Sequence, residues 1–232
     1  MYRFRSERIA SAREGAIRSR RDSSPVIAIN PTVPLDQADI VLVRHGETDF
    51  NARDLLNGDP AVAVHLTAEG RAACVALAPT LGAIAWAATY VTRLGRTTES
   101  YRLMLPAGAE PTALADLDDI RLGVLESKPR AAYVEWRRTH AVTEAPAGGE
   151  SRLHCLVRYA RGMRWLAEEA PHPCLVVTHD QPLRYLLNAL AGEDPILGPL
   201  KGVPNATPFS LAQPTVATGA SRMESAARQL QA

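Results

Sequence analysis

A chain of 232 residues, 46% hydrophobic and 22% charged, is long enough to bury one substantial core, and its composition is that of an ordinary globular protein. A net charge of +1 excludes nucleic-acid binding by bulk charge, and no stretch approaches the ~18 apolar residues of a membrane span, so neither partner is expected. Cys74, Cys155 and Cys174 show no paired spacing, which reads as buried free thiols in a reducing, cytoplasmic compartment.

The chain opens on a segment unlike the rest. Residues 1–38 mix Arg3, Arg5, Arg8, Arg13, Arg18, Arg20 and Arg21 with Ser and Ala, and Pro25, Pro31 and Pro34 then break any periodicity. This is the composition of a flexible basic leader. It lacks the apolar stretch of a secretory signal; its Arg and Ser content is that of an organelle transit peptide, although an untidy N-terminal extension explains it as well.

Ile40–Val43 is a short apolar run that stops at Arg44-His45-Gly46, the pattern of a buried strand opening into a functional loop. Apolar residues at helical spacing fill Thr67–Leu81, with Thr67 as the N-cap. A strand is expected over Ala87–Thr92, then helices over Thr97–Leu105, Ala131–His140 and Arg152–Ala170. Cys174–Thr178 is another strand ending in a histidine, His179, with a helix over Pro182–Ala191 behind it. Alternating strands and helices argue for an α/β domain over residues 39–214 with a mostly parallel sheet. The segment 215–232, rich in Ala, Ser and Gln, is expected to fray.

Two strands thus finish at His45 and His179. In open α/β sheets ligands bind at the carboxyl ends of strands, so the two imidazoles can converge there. A lone histidine at a strand end is more often structural; a pair, one preceded by Arg44, points to chemistry. Of the 26 basic residues only Lys128 and Lys201 are lysines. Guanidinium forks suit carboxylate and phosphate partners, although coding bias accounts for surface arginines equally well. His65, His140, His154 and His172 lie scattered with no metal-ligand spacing, so no metal or other cofactor is expected.

Several segments then follow one order: Leu42-Val43-Arg44-His45-Gly46-Glu47-Thr48-Asp49-Phe50-Asn51; Asn57-Gly58; Leu66-Thr67-Ala68-Glu69-Gly70; Thr92-Arg93-Leu94-Gly95-Arg96-Thr97; Leu117-Asp118-Asp119-Ile120 with Gly123 and Glu126; Gly148-Gly149-Glu150-Ser151; and Val176-Val177-Thr178-His179. In that order, over about residues 39–212, they resemble the motifs of the histidine phosphatase superfamily, the phosphoglycerate mutase-like proteins. The resemblance implies a three-layer α/β/α sandwich with a small helical cap. It also implies metal-independent hydrolysis of a small phosphorylated metabolite through a phosphohistidine.

Phosphoryl transfer spreads charge over three equatorial oxygens, so catalysis reduces to in-line positioning and neutralisation. By resemblance His45 is the nucleophile and Arg44 and Arg96 clamp the phosphoryl group. His179 and Asn51 add donors, and Asn57 and Gly58 complete the substrate site. A backbone carbonyl on the other ring nitrogen would fix the tautomer of His45. The residue aligned with the family's acid glutamate is Asp119, with Asp118 and Glu126 as alternatives; Glu126 suits orienting a loop. Asp180 is a second departure, readable as an extra acid, a substrate-facing group or an N-cap before Pro182. Glu47 and Thr48 are expected to shape the first loop; Trp86, Trp136 and Trp165 read as packing residues, with lining of the mouth as an alternative for Trp136.

Mutases of this family carry a long insertion between the acid and the Gly-Glu-Ser element. The interval Asp119 to Glu150 is short, which favours a phosphatase over a phosphotransferase. A catalytically weak phosphate-binding regulatory module is the reading from another class. Lys128, Arg130, Arg137 and Arg138, in the cap around Lys128–Pro146, read either as a greeting for a second anionic group or as a solvated helix face; ribazole-phosphate hydrolysis is a further branch.

Overall fold

The computed structural model describes residues 33–231. Most of the basic leader lies outside the described residues. Its last stretch belongs to the domain: the Val33 backbone N–H donates to the Ser210 carbonyl at 3.0 Å, and Ala38 is buried. The folded unit therefore begins before Asp39.

A five-stranded sheet runs in the order β3-β2-β4-β1-β5, with β1 at Ile40–Arg44, β2 at Ala88–Val91, β3 at Thr112–Ala113, β4 at Cys174–Thr178 and β5 at Pro208–Leu211. All pairings are parallel except β1 with β5. β1 and β4 are buried on both faces, as central parallel strands must be. Their side chains alternate between two cores. Ile40, Leu42, Cys174 and Val176 face one, while Val41, Val43, Leu175 and Val177 face the other. The three cysteines are free and buried.

Helices cover both faces, giving the α/β/α sandwich. Beneath one face lie α2 (Ala68–Leu81) and α3 (Gly95–Met104); over the other lie α5 (Arg152–Glu168), α6 (Asp180–Leu190) and α7 (Gln213–Gln231). Thr67 caps α2, its hydroxyl oxygen accepting from Gly70 N at 3.0 Å. The turn α1 (Asp49–Ala52) and the cap helix α4 (Arg130–Thr139) stand at the carboxyl edge of the sheet, beside the pocket described below.

The tail expected to fray is α7. Val216, Gly219, Ala220, Met223 and Ala227 recur at helical spacing and are buried against α5 and α6. Arg164 of α5 reaches Glu224 at 2.8 Å, and Arg222 donates to the last carbonyls of α6. Among the described residues no helix is long and apolar enough to cross a membrane.

Candidate active site

Parallel pairing of β1 with β4 brings the two histidine loops together. Arg44 lies opposite Thr178, and the His45 backbone N–H donates to the Thr178 carbonyl at 3.0 Å. The two imidazole centroids stand 5.3 Å apart, edge to face. His45 is 2% exposed and lines a pocket of about 210 Å³; His179 is fully buried beside it.

The tautomer of His45 is set by the backbone. Nδ1 lies 2.7 Å from the Gly46 carbonyl, which can only accept, so the proton sits on Nδ1 and the lone pair on Nε2. Nε2 in turn accepts from Arg96 Nε at 3.0 Å. Burial, then Arg96 and Arg44, push His45 well below the ordinary histidine value, so the ring is neutral. Burial, Arg96 and His45 do the same to His179. His179 Nε2 lies 2.8 Å from Thr92 Oγ1, and its Nδ1 has no hydrogen-bond partner among the described residues, standing 3.8 Å from Asp119 Oδ2.

Arg96 lies in the first turn of α3 and is 4% exposed. Besides His45 it donates to the side chain and the carbonyl of Asn57, and through Nη2 to Asp119 Oδ2 at 3.0 Å. Arg44 donates to the Val203 carbonyl, and its Nε is buried without a partner among the described residues. Asn51 and Thr48 form a reciprocal capping box on α1, each side-chain oxygen accepting from the other residue's backbone at 3.1 Å. The Asn51 side-chain oxygen is thereby occupied, which leaves its amide nitrogen to donate to a ligand.

Asp119 keeps 21% of its side chain exposed at the pocket. Burial raises its carboxyl and the Asp180 carboxylate adds to the rise, against Arg96 and the Ile120 N–H, which favour the charged form. Asp118 is no rival: its carboxylate holds the backbone and side chain of Arg93, away from the pocket. Glu126 orients a loop, accepting from Asn57 Nδ2 at 2.8 Å and Gly58 N at 2.9 Å. Glu47 accepts from Thr67 Oγ1 at 3.0 Å, tying the first loop to α2.

The expectation for Gly58 needs correction, and one alternative falls away for each of Asp180 and Trp136. Gly58 does not line the pocket. Its N–H is spent on Glu126, and a Cβ there would collide with the Ile120 carbonyl, so it serves the close approach of two loops. Asp180 is not the N-cap of α6, since His179 holds that position. Asp180 opens the helix, faces the pocket and accepts from Val203 N at 2.6 Å. Trp136 does not line the mouth, being stacked between Tyr133 and His140; Tyr133 lines it instead.

Sequence reasoning missed Arg158. It forms a bidentate pair with Glu150 (3.0 and 2.7 Å), and its Nη1 donates to the carbonyls of Ala115, Asp116 and Asp118, on the segment that carries Asp119. Only the fold reveals this, because nothing in the spacing ties Arg158 to residues 115–119. It missed also Tyr133, Gln181, Arg184 and Lys201 at the pocket wall; Arg130 and Arg137 were foreseen in the cap. Among the described residues no group of His, Cys, Asp and Glu is arranged to hold a metal ion. The arrangement can cradle an oxyanion between Arg44 and Arg96 while presenting a neutral ring nitrogen and a carboxyl of raised pKa.

Solved structures share this fold. A putative α-ribazole-5′-phosphate phosphatase from Escherichia coli is 24% identical, with a TM-score of 0.63 over 74% of this chain and 88% of its own. A mycobacterial glucosyl-3-phosphoglycerate phosphatase in complex with VO3 is 26% identical, with a TM-score of 0.59 over 74% and 90%. A Thermus thermophilus protein is 30% identical, with a TM-score of 0.53 over 73% and 91%. No curated protein was matched by sequence. The family model described as "Histidine phosphatase superfamily (branch 1)" matches residues 40–211, most of the chain, and the protein belongs to that superfamily.

Proposed function

We propose that the protein hydrolyses phosphomonoesters of small metabolites through a phosphohistidine on His45. One observation carries this reading: a neutral imidazole, its Nδ1 proton fixed on Gly46, presents Nε2 beside the buried Arg96 guanidinium, with the Arg44 charge also acting on the ring. Arg44, Arg96 and the Asn51 amide hold the equatorial oxygens by charge-assisted and neutral hydrogen bonds. With Thr92 Oγ1 as the donor to His179 Nε2, that ring's proton lies on Nδ1, the nitrogen 3.8 Å from Asp119 Oδ2.

In the first step Nε2 bonds to phosphorus as the ester P–O bond breaks, and the leaving oxygen takes the proton of Asp119. In the second, water attacks the phosphohistidine, the P–N bond breaks, and the Asp119 carboxylate accepts the water's proton. The side chains named above supply every group these steps use. The short interval between Asp119 and Glu150, with α4 as a ten-residue cap, supports water over a second substrate as the acceptor.

The test is hydrolysis of paired aryl and alkyl phosphates by the native protein, His45→Ala and Asp119→Asn. His45→Ala abolishes both. Asp119→Asn lowers alkyl-ester kcat/KM by about 10²–10⁴-fold, and the aryl ester by far less, because a phenolate leaves without a proton. Equal background in native and His45→Ala protein would instead support a phosphate-binding regulatory module.

A further inference from the structure

Beside the phosphoryl pocket lies a second cavity of about 260 Å³ between α4, α5, α6 and residues 196–201. The two share Tyr133, Arg137, Gln181, Arg184 and Lys201, so they lie side by side with common walls. Five cations line the second cavity, Arg137, Arg138, Arg152, Arg184 and Lys201, and no carboxylate does.

Arg152 is the telling member. It is 8% exposed, donates through Nη2 to the His140 carbonyl at 3.0 Å, and its Nε is buried without a hydrogen-bond partner. No carboxylate lies within ion-pair distance of it among the described residues. A buried guanidinium without a counter-ion is costly. The neighbours do not relieve it. Arg184 is 12% exposed, with its own buried, unpartnered Nε 3.5 Å from Asp180 Oδ2. Arg137 is lowered by burial and by the charges of Arg184 and Arg152, so the three guanidiniums repel one another. Among the described residues Lys201 donates only to the Leu197 and Gly198 carbonyls.

Resting on the phosphatase reading of the adjoining pocket, we propose that this cavity is a second oxyanion subsite. The substrate is then a phosphomonoester bearing another anionic group, a carboxylate or a phosphate, at its far end. That group meets Arg152, Arg184 and Arg137 while the scissile phosphoryl group lies at His45. Tyr133 and Gln181, common to both cavities, flank the linking chain.

Butyl, hexyl and octyl phosphates, compared with the same esters carrying a terminal carboxylate or terminal phosphate, test the subsite and measure its reach. At the fitting length the anionic ester exceeds the plain one in kcat/KM by about tenfold or more, mostly through KM. Whichever terminal group gives the larger ratio identifies the oxyanion. The ratio falls toward one in Arg152→Met and in Arg137→Gln; because it is taken within each variant, partial misfolding cancels, and Arg137 is exposed enough to change safely. Equal rates for plain and anionic esters at every length, or an unchanged ratio in both variants, would overturn the subsite. Should the native protein hydrolyse no ester, the phosphatase reading fails alone; calorimetric binding of the same pairs then decides, tighter binding of the anionic ester upholding the subsite and equal binding overturning it.

Discussion

A carboxyl group that must arrive protonated under the proposed mechanism, Asp119, stands 3.0 Å from a guanidinium that favours its ionised form. Burial and the Asp180 carboxylate push Asp119 upward, and the rise wins over Arg96. Asp is a methylene shorter than the glutamate of the family motif, and beside it Gly58 lets the loop at Asn57 lie against Ile120. Asp180 thus acts on Asp119 through its charge as well as by holding Val203 N. Asp180→Asn keeps an acceptor for that N–H and removes the charge, so Asp119 loses its proton at lower pH. The alkaline limb of kcat/KM for an alkyl phosphate moves to lower pH, while the aryl ester shows little change. An unmoved limb would mean that another group sets it.

The elements differ in how their geometry is enforced. The segment 115–119 is a single 3-10 turn and the two residues after it, and Arg158 of α5 fixes it by binding four of its carbonyls. Burial alone would raise Glu150, but hydrogen bonds from Arg158 outweigh it and hold the carboxyl below its ordinary value. Arg158→Met leaves Glu150, 7% exposed, without its partner. The expected loss is about 3 kcal/mol in urea unfolding, with kcat/KM falling as Asp119 loses its footing. Glu150→Gln combined with Arg158→Met is less destabilised than Arg158→Met alone, because no uncompensated charge remains. If the two unfold at the same urea concentration, the pair is not the anchor of this segment.

The same contrast explains what could be read from residues alone. β1 and β4 were legible because unbroken apolar runs stop at histidines, and parallel pairing of such strands brings the ring-bearing ends together. Thr67 and Gly70 marked a cap for the same local reason. β5 begins with Pro208, which reads as a break, and it pairs antiparallel at the sheet's edge, where proline is tolerated. β3 is two residues long and is specified only by its neighbour. In α7 the bland composition hid a helical stripe of small residues, among them Gly219, where Leu186 and Leu190 of α6 leave no room for a side chain. Gly58 was placed at the substrate and Asp180 left open between three roles because a motif gives neighbours in sequence and leaves direction unspecified.

Across the molecule, the carboxyl edge of the sheet concentrates groups that folding would not choose. His45 and His179 are buried neutral with values well below 6.5, so between those lowered values and about 6.5 the unfolded chain binds more protons than the folded one. Stability therefore rises with pH through that window, and it is lost as pH falls below the ordinary histidine value. Asp119 works in the opposite sense: its raised carboxyl keeps a proton that the unfolded chain releases near 3.8, so its contribution declines as pH rises above that point. Two rings against one carboxyl leave the histidines dominant on the acid side of neutrality. The native Tm thus drops from about pH 7.5 to about pH 5.5. The double variant His45→Asn and His179→Asn, whatever its own Tm at pH 7.5, shows a shallower decline over the same interval, since neither position then takes up a proton on unfolding. Parallel Tm-against-pH lines would place the acid sensitivity elsewhere and would mean that the two imidazoles carry no protonation penalty in the folded state.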